Sequence, residues 1–473
     1  MTTTEALLAV GAILWVAIAA IIILLQRRSA ASTMAWLLAL TFMPIIGLVI
    51  YRLIGPMRLE RKRLRRRAGR RAVAEAMATM TELRQASLEH AQLARVAMSL
   101  GEAPPLRATA LALHLDGAST YADIMRAIGE ARHHVHVEYY IWMPDRIGTA
   151  LRDLLVERAR TGVQVRLLLD AMGSSKVKRA FLAPLVEAGG EVAWFNPLRL
   201  RGLHLRRPDF RTHRKIVICD GRVGFTGGIN VTDQHSSVYV GDDAWRDTHV
   251  RFEGPAVWGL QRLFLDDWLF AAERLPPTSA ELFPAPPADQ PGDRIVQVVG
   301  SGPDATDFAI HKALFTAIGQ AQSRLWITTP YFVPDEPILT ALVAAGLRKV
   351  DVRLLIPESG DSRLVDLAAR SYLPELFAAG VRVYAYGPRF VHAKTMVVDD
   401  DVAIVGTANL DNRSFRLNFE LVAIAFDRAL TTELAAAFEV DLKGARALSP
   451  RATRASVWTR LGEAGARLLS PLL

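Results

Sequence analysis

The feature that most constrains this chain is an eight-residue pattern that occurs twice. His213-Arg-Lys215-Ile-Val-Ile-Cys-Asp220 and His392-Ala-Lys394-Thr-Met-Val-Val-Asp399 both read H-x-K-x-x-x-x-D. A trailer follows each at the same distance, Gly227-Gly228-Ile-Asn230 and then Gly406-Thr-Ala-Asn409. The repeat extends beyond the motif. Residues 131–145 align on 321–335, and Val163-Gln-Val-Arg-Leu-Leu-Leu aligns on Val350-Asp-Val-Arg-Leu-Leu-Ile. Repetition on this scale predicts two related lobes, and the paired motifs predict two half-sites folded into one active site.

Each lobe alternates apolar strands with helical segments, which predicts an α/β sandwich. Lobe one reads as a strand over 108–115, a helix capped by Ser119 or Thr120 and running to about Ala131, then a strand over 134–142. Lobe two repeats the order, with a strand over 295–299, a helix over 304–321 and a strand over 325–329. Alternate residues of a strand share a face, so each His and the Lys two positions on point the same way. The aliphatic residues after each Lys suit a buried strand. Asp220-Gly221 and Asp399-Asp400 read as hairpin turns. The Asp, seven positions after the His, lies on the opposite parity and reads as a brace for the turn.

Two His, two Lys and two Asn suit a phosphodiester. Lys215, Lys394, Asn230 and Asn409 can hold its non-bridging oxygens. One imidazole can attack phosphorus and form a covalent phosphoenzyme, while the other protonates the departing alkoxide. Each His needs a carboxylate to fix its tautomer. Glu420 is the candidate for His392. Asp247 is the candidate for His213, ahead of Asp242 or Asp243. No P-loop pattern occurs, no carboxylate cluster has metal-ligand spacing, and no cofactor is implied. His134 and His136 read as packing or pocket residues and not as metal ligands.

The apolar excess sits at the start. Residues 7–25 and 34–54 read as a retained transmembrane helical hairpin, with Pro44 and Gly47 leaving open a kinked or re-entrant second segment. Ten Lys and Arg side chains from Arg52 to Arg71 face Glu60 alone, which accounts for the whole net charge of +9. Beside a membrane segment this reads as a positive-inside signal and a grip on anionic headgroups. A nuclease would carry its basic surplus on the lobes, which are near neutral, so nucleic acid is not an expected partner. Cys219, the single cysteine, allows no intrachain disulfide. The expected organisation is a membrane anchor over 1–55, a basic helical connector over 56–105, lobe one over 106–275, a Pro-rich linker over 276–292, lobe two over 293–448 and an amphipathic tail over 449–473. The tail could lie at a membrane interface or pack back onto the lobes.

On these residues the chain resembles the phospholipase D superfamily, which the doubled H-x-K-x-x-x-x-D motif defines. Within it, Trp245-Arg-Asp247, Thr329-Pro-Tyr-Phe332 and Gly406-Thr-Ala-Asn409-Leu-Asp411-Asn-Arg413-Ser414 resemble the bacterial cardiolipin synthases. The anchor residues Ala35-Trp36 and Pro44-Ile-Ile-Gly47, and the closing Leu-Leu-Ser-Pro471-Leu-Leu, are similar too. The resemblance implies two pseudo-symmetric α/β/α sandwich lobes behind the anchor. It implies a metal-independent transfer of a phosphatidyl group from one phosphatidylglycerol to another, giving cardiolipin and glycerol. The implied setting is a bacterial inner membrane with the catalytic lobes facing the cytoplasm. It further implies that His213, Lys215, Asp220, His392, Lys394 and Asp399 form the catalytic set, with His213 as nucleophile. The alternative within the superfamily is a phosphodiesterase that hydrolyses lipid or nucleic acid.

Overall fold

The computed structural model describes residues 3–25, 30–54, 91–197, 200–201, 204–205, 209–276, 280–286, 292–304, 307–449 and 456–472. Two large mixed sheets carry the lobes. In lobe one the strand order is Ala110–His114, His249–Glu253, Val223–Gly227, Ile216–Cys219, His134–Tyr139, Gln164–Asp170, Glu191–Phe195. The seven inner strands of lobe two's nine-stranded sheet repeat that order: Arg294–Ser301, Glu420–Phe426, Val402–Gly406, Thr395–Val398, Arg324–Thr328, Asp351–Pro357, Arg382–Tyr386, with Leu106–Ala108 and Ala445–Ala447 added at the edges. The sequence repeat is therefore a repeat of topology.

Burial explains the strand compositions. Central strands such as Ile216–Cys219 and Val402–Gly406 are buried along their whole length, so they are apolar runs without alternation. Leu151 and Leu182 in lobe one, and Ile338 and Leu373 in lobe two, belong to outer helices that cover one face of each sheet. The other faces share one core. It draws Trp258 and Phe264 from helix Val257–Ala272, Leu434 and Phe438 from helix Arg428–Lys443, and strand residues of both lobes. Both inner helices cross the lobe boundary. Gly259 lies so close to Val298 of lobe two that an added Cβ would sit 2.7 Å from its Cβ.

Several sequence expectations change here. The strand over 108–115 is two strands. Leu106–Ala108 pairs with Arg294–Ser301 in lobe two's sheet, and only Ala110–His114 joins lobe one. The first helix of lobe one is capped by Asp116, whose carboxylate accepts the Ser119 N–H at 2.7 Å, and not by Ser119 or Thr120. An aspartate before the first turn satisfies one of the helix's free N–H groups. The last part of the connector, Ala91–Ser99, is a helix that buries Leu93 and Ala97 in lobe two's core; residues 55–90 lie outside the described residues. Part of the Pro-rich segment also packs, with Leu282 and Phe283 in the shared core.

The apolar start forms three helices, Thr3–Leu24, Ala30–Phe42 and Pro44–Ile54. The second apolar segment is thus broken at Pro44, where proline removes a helical N–H. Gly47 then lets the chain approach closely, since an added Cβ would lie 2.7 Å from the Ala39 carbonyl oxygen. Among the described residues no helix is long and apolar enough to cross a membrane.

Candidate active site

The expected strand placement of His and Lys needs correction. The strands begin after each lysine, at Ile216 and Thr395. His213 to Lys215 and His392 to Lys394 lie in the extended lead-ins, and these lead-ins pair with the other lobe. The His213 N–H donates to the Phe419 carbonyl at 2.8 Å, and the His392 N–H donates to the Arg246 carbonyl at 2.7 Å. Thr212 bridges Phe419 and Arg246 bridges Val391, both in parallel.

Those bridges decide which carboxylate meets which histidine. Glu420 follows Phe419, and Asp247 follows Arg246. Glu420 Oε1 lies 3.3 Å from His213 Nδ1, and Asp247 Oδ2 lies 2.7 Å from His392 Nδ1. The pairs are crossed between lobes, the reverse of the expectation that put Glu420 with His392 and Asp247 with His213. Sequence proximity suggested pairing within a lobe; the inter-lobe bridges override it. Asp242 and Asp243 sit in a short surface turn instead.

Buried arginines fix the crossing. Arg214, between His213 and Lys215 of the first motif, donates to Asp267 and to the Glu420 and Ser301 carbonyls of lobe two. Arg246 pairs with Asp441 of lobe two through Nε at 2.9 Å and Nη2 at 2.8 Å. A two-pronged arginine–carboxylate pair sets orientation as well as attraction.

Lys215 and Lys394 are buried, and each ammonium donates to the carbonyl of its own motif histidine, His213 and His392. Burial lowers Lys394 to about 7, opposed by Asp247 and reinforced by Lys215. Burial lowers Lys215 to about 8, opposed by Glu420 and Asp247. Each lysine therefore feels charges from both lobes, which is the electrostatic mark of one site. Burial also lowers His392 to about 4; Lys394 adds to this and Asp247 opposes it. Burial raises the Asp247 carboxyl, yet His392 and Lys394 outweigh it and hold it well below the usual range. Glu420 behaves alike: burial raises it, and His213, Lys215 and Thr407 bring it down.

Asp220 and Asp399 lie away from this cluster. The Asp220 carboxylate accepts the N–H groups of Arg132, His133 and His134. Asp399 accepts those of Gln322, Ser323 and Arg324. Both have positive φ, 54° and 49°. They tie each hairpin turn to the start of the neighbouring strand, and their grouping with the catalytic set is corrected accordingly. Asn230 and Asn409 are buried beside the motifs. Asn230 Oδ1 accepts the Ile141 N–H at 3.3 Å, and Asn409 Oδ1 has no hydrogen-bond partner among the described residues. His134 and His136 pack in lobe one, both against Gln261, with His136 stacked on Phe264.

Sequence reasoning missed the groups behind the carboxylates. Thr407 and Ser414 hydroxyls donate to Glu420, as does the Asn418 amide. The Tyr140 ring lies against His213, centroids 4.0 Å apart. Aligning the two trailers exposes an asymmetry that was available in the sequence. Gly228 stands where lobe two has Thr407, and His235 where it has Ser414. Gly228 is required by the shorter carboxylate, because an added Cβ would lie 2.1 Å from Asp247 Oδ1. Gly228→Ala is expected to push Asp247 off His392 and to lower kcat roughly tenfold to a hundredfold, on the scale of a misplaced catalytic group. Unchanged kcat in steady-state assays would refute that close fit. His235, Asp247 and His392 lie together, their ligand atoms within 4.8 Å. This donor set is part of the candidate site, and Asp247 Oδ2 is already engaged by His392.

Residues 124–241 and 314–442 match the family described as cardiolipin synthase, PLD-like domain, and residues 10–56 match the phospholipase D-nuclease N-terminal family. Cardiolipin synthase 1 of Bacillus anthracis is 37% identical, covering 96% of this chain and 91% of its own. The major cardiolipin synthase of Bacillus subtilis is 37% identical over the full length of both chains. Among solved structures, phosphatidylserine synthase of Haemophilus influenzae covers 81% of this chain and 100% of its own at a TM-score of 0.61 and 14% identity, a likeness of fold. The chain belongs to the cardiolipin synthase family of the phospholipase D superfamily.

Proposed function

We propose that this chain makes cardiolipin and glycerol from two phosphatidylglycerol molecules through a covalent phosphohistidine. The single observation that carries the mechanism is the pair of crossed His–carboxylate contacts flanked by two buried lysines. Each carboxylate engages Nδ1, which leaves Nε2 of both histidines for chemistry.

In the first step His213 Nε2 attacks phosphorus. The new P–N bond replaces the P–O bond to glycerol, and His392, charged in the complex because the bound anionic phosphodiester joins Asp247 in raising its proton affinity, gives its Nε2 proton to the leaving oxygen. In the second step His392 takes the proton of a hydroxyl on the second phosphatidylglycerol. That oxygen attacks phosphorus, breaks the P–N bond and restores His213. One phosphodiester is exchanged for another, so the transfer needs no nucleotide. Lys215, Lys394 and the two asparagines hold the non-bridging oxygens as charge shifts onto them. The choice of His213 as nucleophile rests on the family resemblance. Its ring also has the more open position, with 22% of the side chain exposed against 12% for His392.

The depressed lysines add a pH signature. At pH 6 both are charged before substrate arrives. At pH 8.5 both have lost part of their protons, and an anionic phosphodiester raises their affinity for them again. Binding of short-chain phosphatidylglycerol should take up little proton at pH 6 and close to one or more at pH 8.5. Calorimetry in buffers of different ionisation enthalpy reads this, and a pH-independent uptake would contradict it.

The three N-terminal helices leave Ile18, Phe42, Ile45 and many other apolar side chains exposed. Such a surface suits the interior of a bilayer. With the basic run after it, the unit is read as a multi-pass or re-entrant anchor of the inner membrane, with the lobes on the cytoplasmic side. Phosphatidylglycerol and other anionic lipids are then the partners at hand.

The test is incubation of purified protein with phosphatidylglycerol alone in the presence of a chelator. Cardiolipin and glycerol in equal amounts are the expected products. Phosphatidic acid as the main product would replace transfer with hydrolysis.

A further inference from the structure

The C-terminal helix, Val457–Leu468, packs back onto lobe two, but by one side only. Ala466 is buried in the lobe's core. The Arg467 guanidinium lies 4.5 Å over the Tyr372 ring. The next turn is pinned by hydrogen bonds: Ser470 Oγ lies 2.9 Å from the Tyr372 hydroxyl, and the Ser470 carbonyl accepts the Asn412 amide at 3.0 Å. Asn412 stands three residues after Asn409. It begins the helix Asn412–Arg416, which Asp411 caps, and Asp411 belongs to a two-stranded pairing with Phe332–Val333. The tail is thus fastened to the crown of loops that carries the lobe-two half of the site.

The opposite side of this helix is apolar and bare. Trp458 is 83% exposed and Leu468 is 82% exposed, and Val457 and Leu461 are exposed with them. At 3.6 residues per turn these four fall within a stripe about 100° wide, with Ala466 facing the other way. Arg460 and Arg467 are exposed beside the stripe. An apolar stripe with a basic edge matches the boundary between headgroups and acyl chains of an anionic bilayer.

We propose that this helix is an interfacial foot. It lies in the headgroup layer of a phosphatidylglycerol-containing membrane and holds the mouth of the site at the lipid surface. The occupant of the stripe is lipid, chosen by the flanking arginines and by the bulk of exposed Trp and Leu so near a site read as acting on lipid. The inference rests on that reading of the site.

The test uses the full chain and a Leu461→Glu, Leu468→Glu variant, assayed in two ways. Cardiolipin formation on phosphatidylglycerol vesicles is expected to fall at least tenfold. Turnover of short-chain phosphatidylglycerol, dissolved below its aggregation limit, is expected to stay within twofold. Equal losses on both substrates would make the helix a mere prop of the fold, and no loss on vesicles would leave the stripe without this role; either overturns the proposal. A second readout needs no turnover. Vesicles with brominated acyl chains should quench the unmodified chain more than Trp458→Phe, and equal quenching would put Trp458 in water and overturn it. So would a smaller particle size for the Glu variant in detergent, which would assign the stripe to a second copy of the chain. Failure of the unmodified chain on both substrates would instead refute the transferase reading, while Trp458 quenching still reports on the foot.

Discussion

His213→Ala and His392→Ala should each lower kcat for cardiolipin formation by about ten-thousand-fold or more, the scale seen when one member of a catalytic unit is removed. The two losses should not add. The proposed mechanism uses one imidazole bonded to phosphorus and another moving the proton, so on it either loss stops both steps. The double variant should be no worse than the poorer single one. Steady-state rates on phosphatidylglycerol decide this, with folding checked by circular dichroism. Substantial turnover from either single variant would mean that each lobe works alone, which the shared lysine electrostatics contradict.

The second large effect concerns the carboxylates. Asp247→Asn and Glu420→Gln should each cost about a hundredfold to ten-thousand-fold in kcat, as loss of the orienting carboxylate does in a His-based unit. Rates alone cannot tell a crossed pair from an uncrossed one, but nitrogen NMR of labelled histidines can. Asp247→Asn should move the Nδ1 resonance of His392 and leave that of His213 in place. Glu420→Gln should do the converse. The sign for His392 follows from its surroundings. Burial and Lys394 already hold it near 4 and the Asp247 carboxylate pulls it up, so removing that charge should lower it further. A response of His213 to Asp247→Asn would restore the pairing suggested by sequence proximity.

That reversal shows where sequence reading stops. The lobe repeat, the hairpins and the identities of the two histidines, lysines and carboxylates were legible, because each is a local pattern or is repeated. The partnering was not. It depends on Thr212 bridging Phe419 and Arg246 bridging Val391, and no periodicity within one lobe encodes a contact between lobes. The strand at Leu106–Ala108 eluded reading for the same reason: its composition fits either sheet, and only the closed fold assigns it to lobe two. Asp116 as helix cap is not legible in the sequence because three capping residue types stand close together, and backbone geometry chooses among them. Gly228 and Thr407 were readable as a mismatch between trailers, but its meaning needed the position of Asp247.

The crossing of the pairs also bears on how such an enzyme comes into being. A ribosome releases lobe one first, and domains of a growing chain fold as they emerge. At that stage His213 lacks Glu420, which has not yet been made, and Asp247 lacks His392. If the two half-sites work as one, lobe one alone is expected to be chemically silent however well it folds. On the proposed mechanism, phosphodiester chemistry is expected only once the two sheets close on their common core, which would shield lipid from half-built copies of the protein.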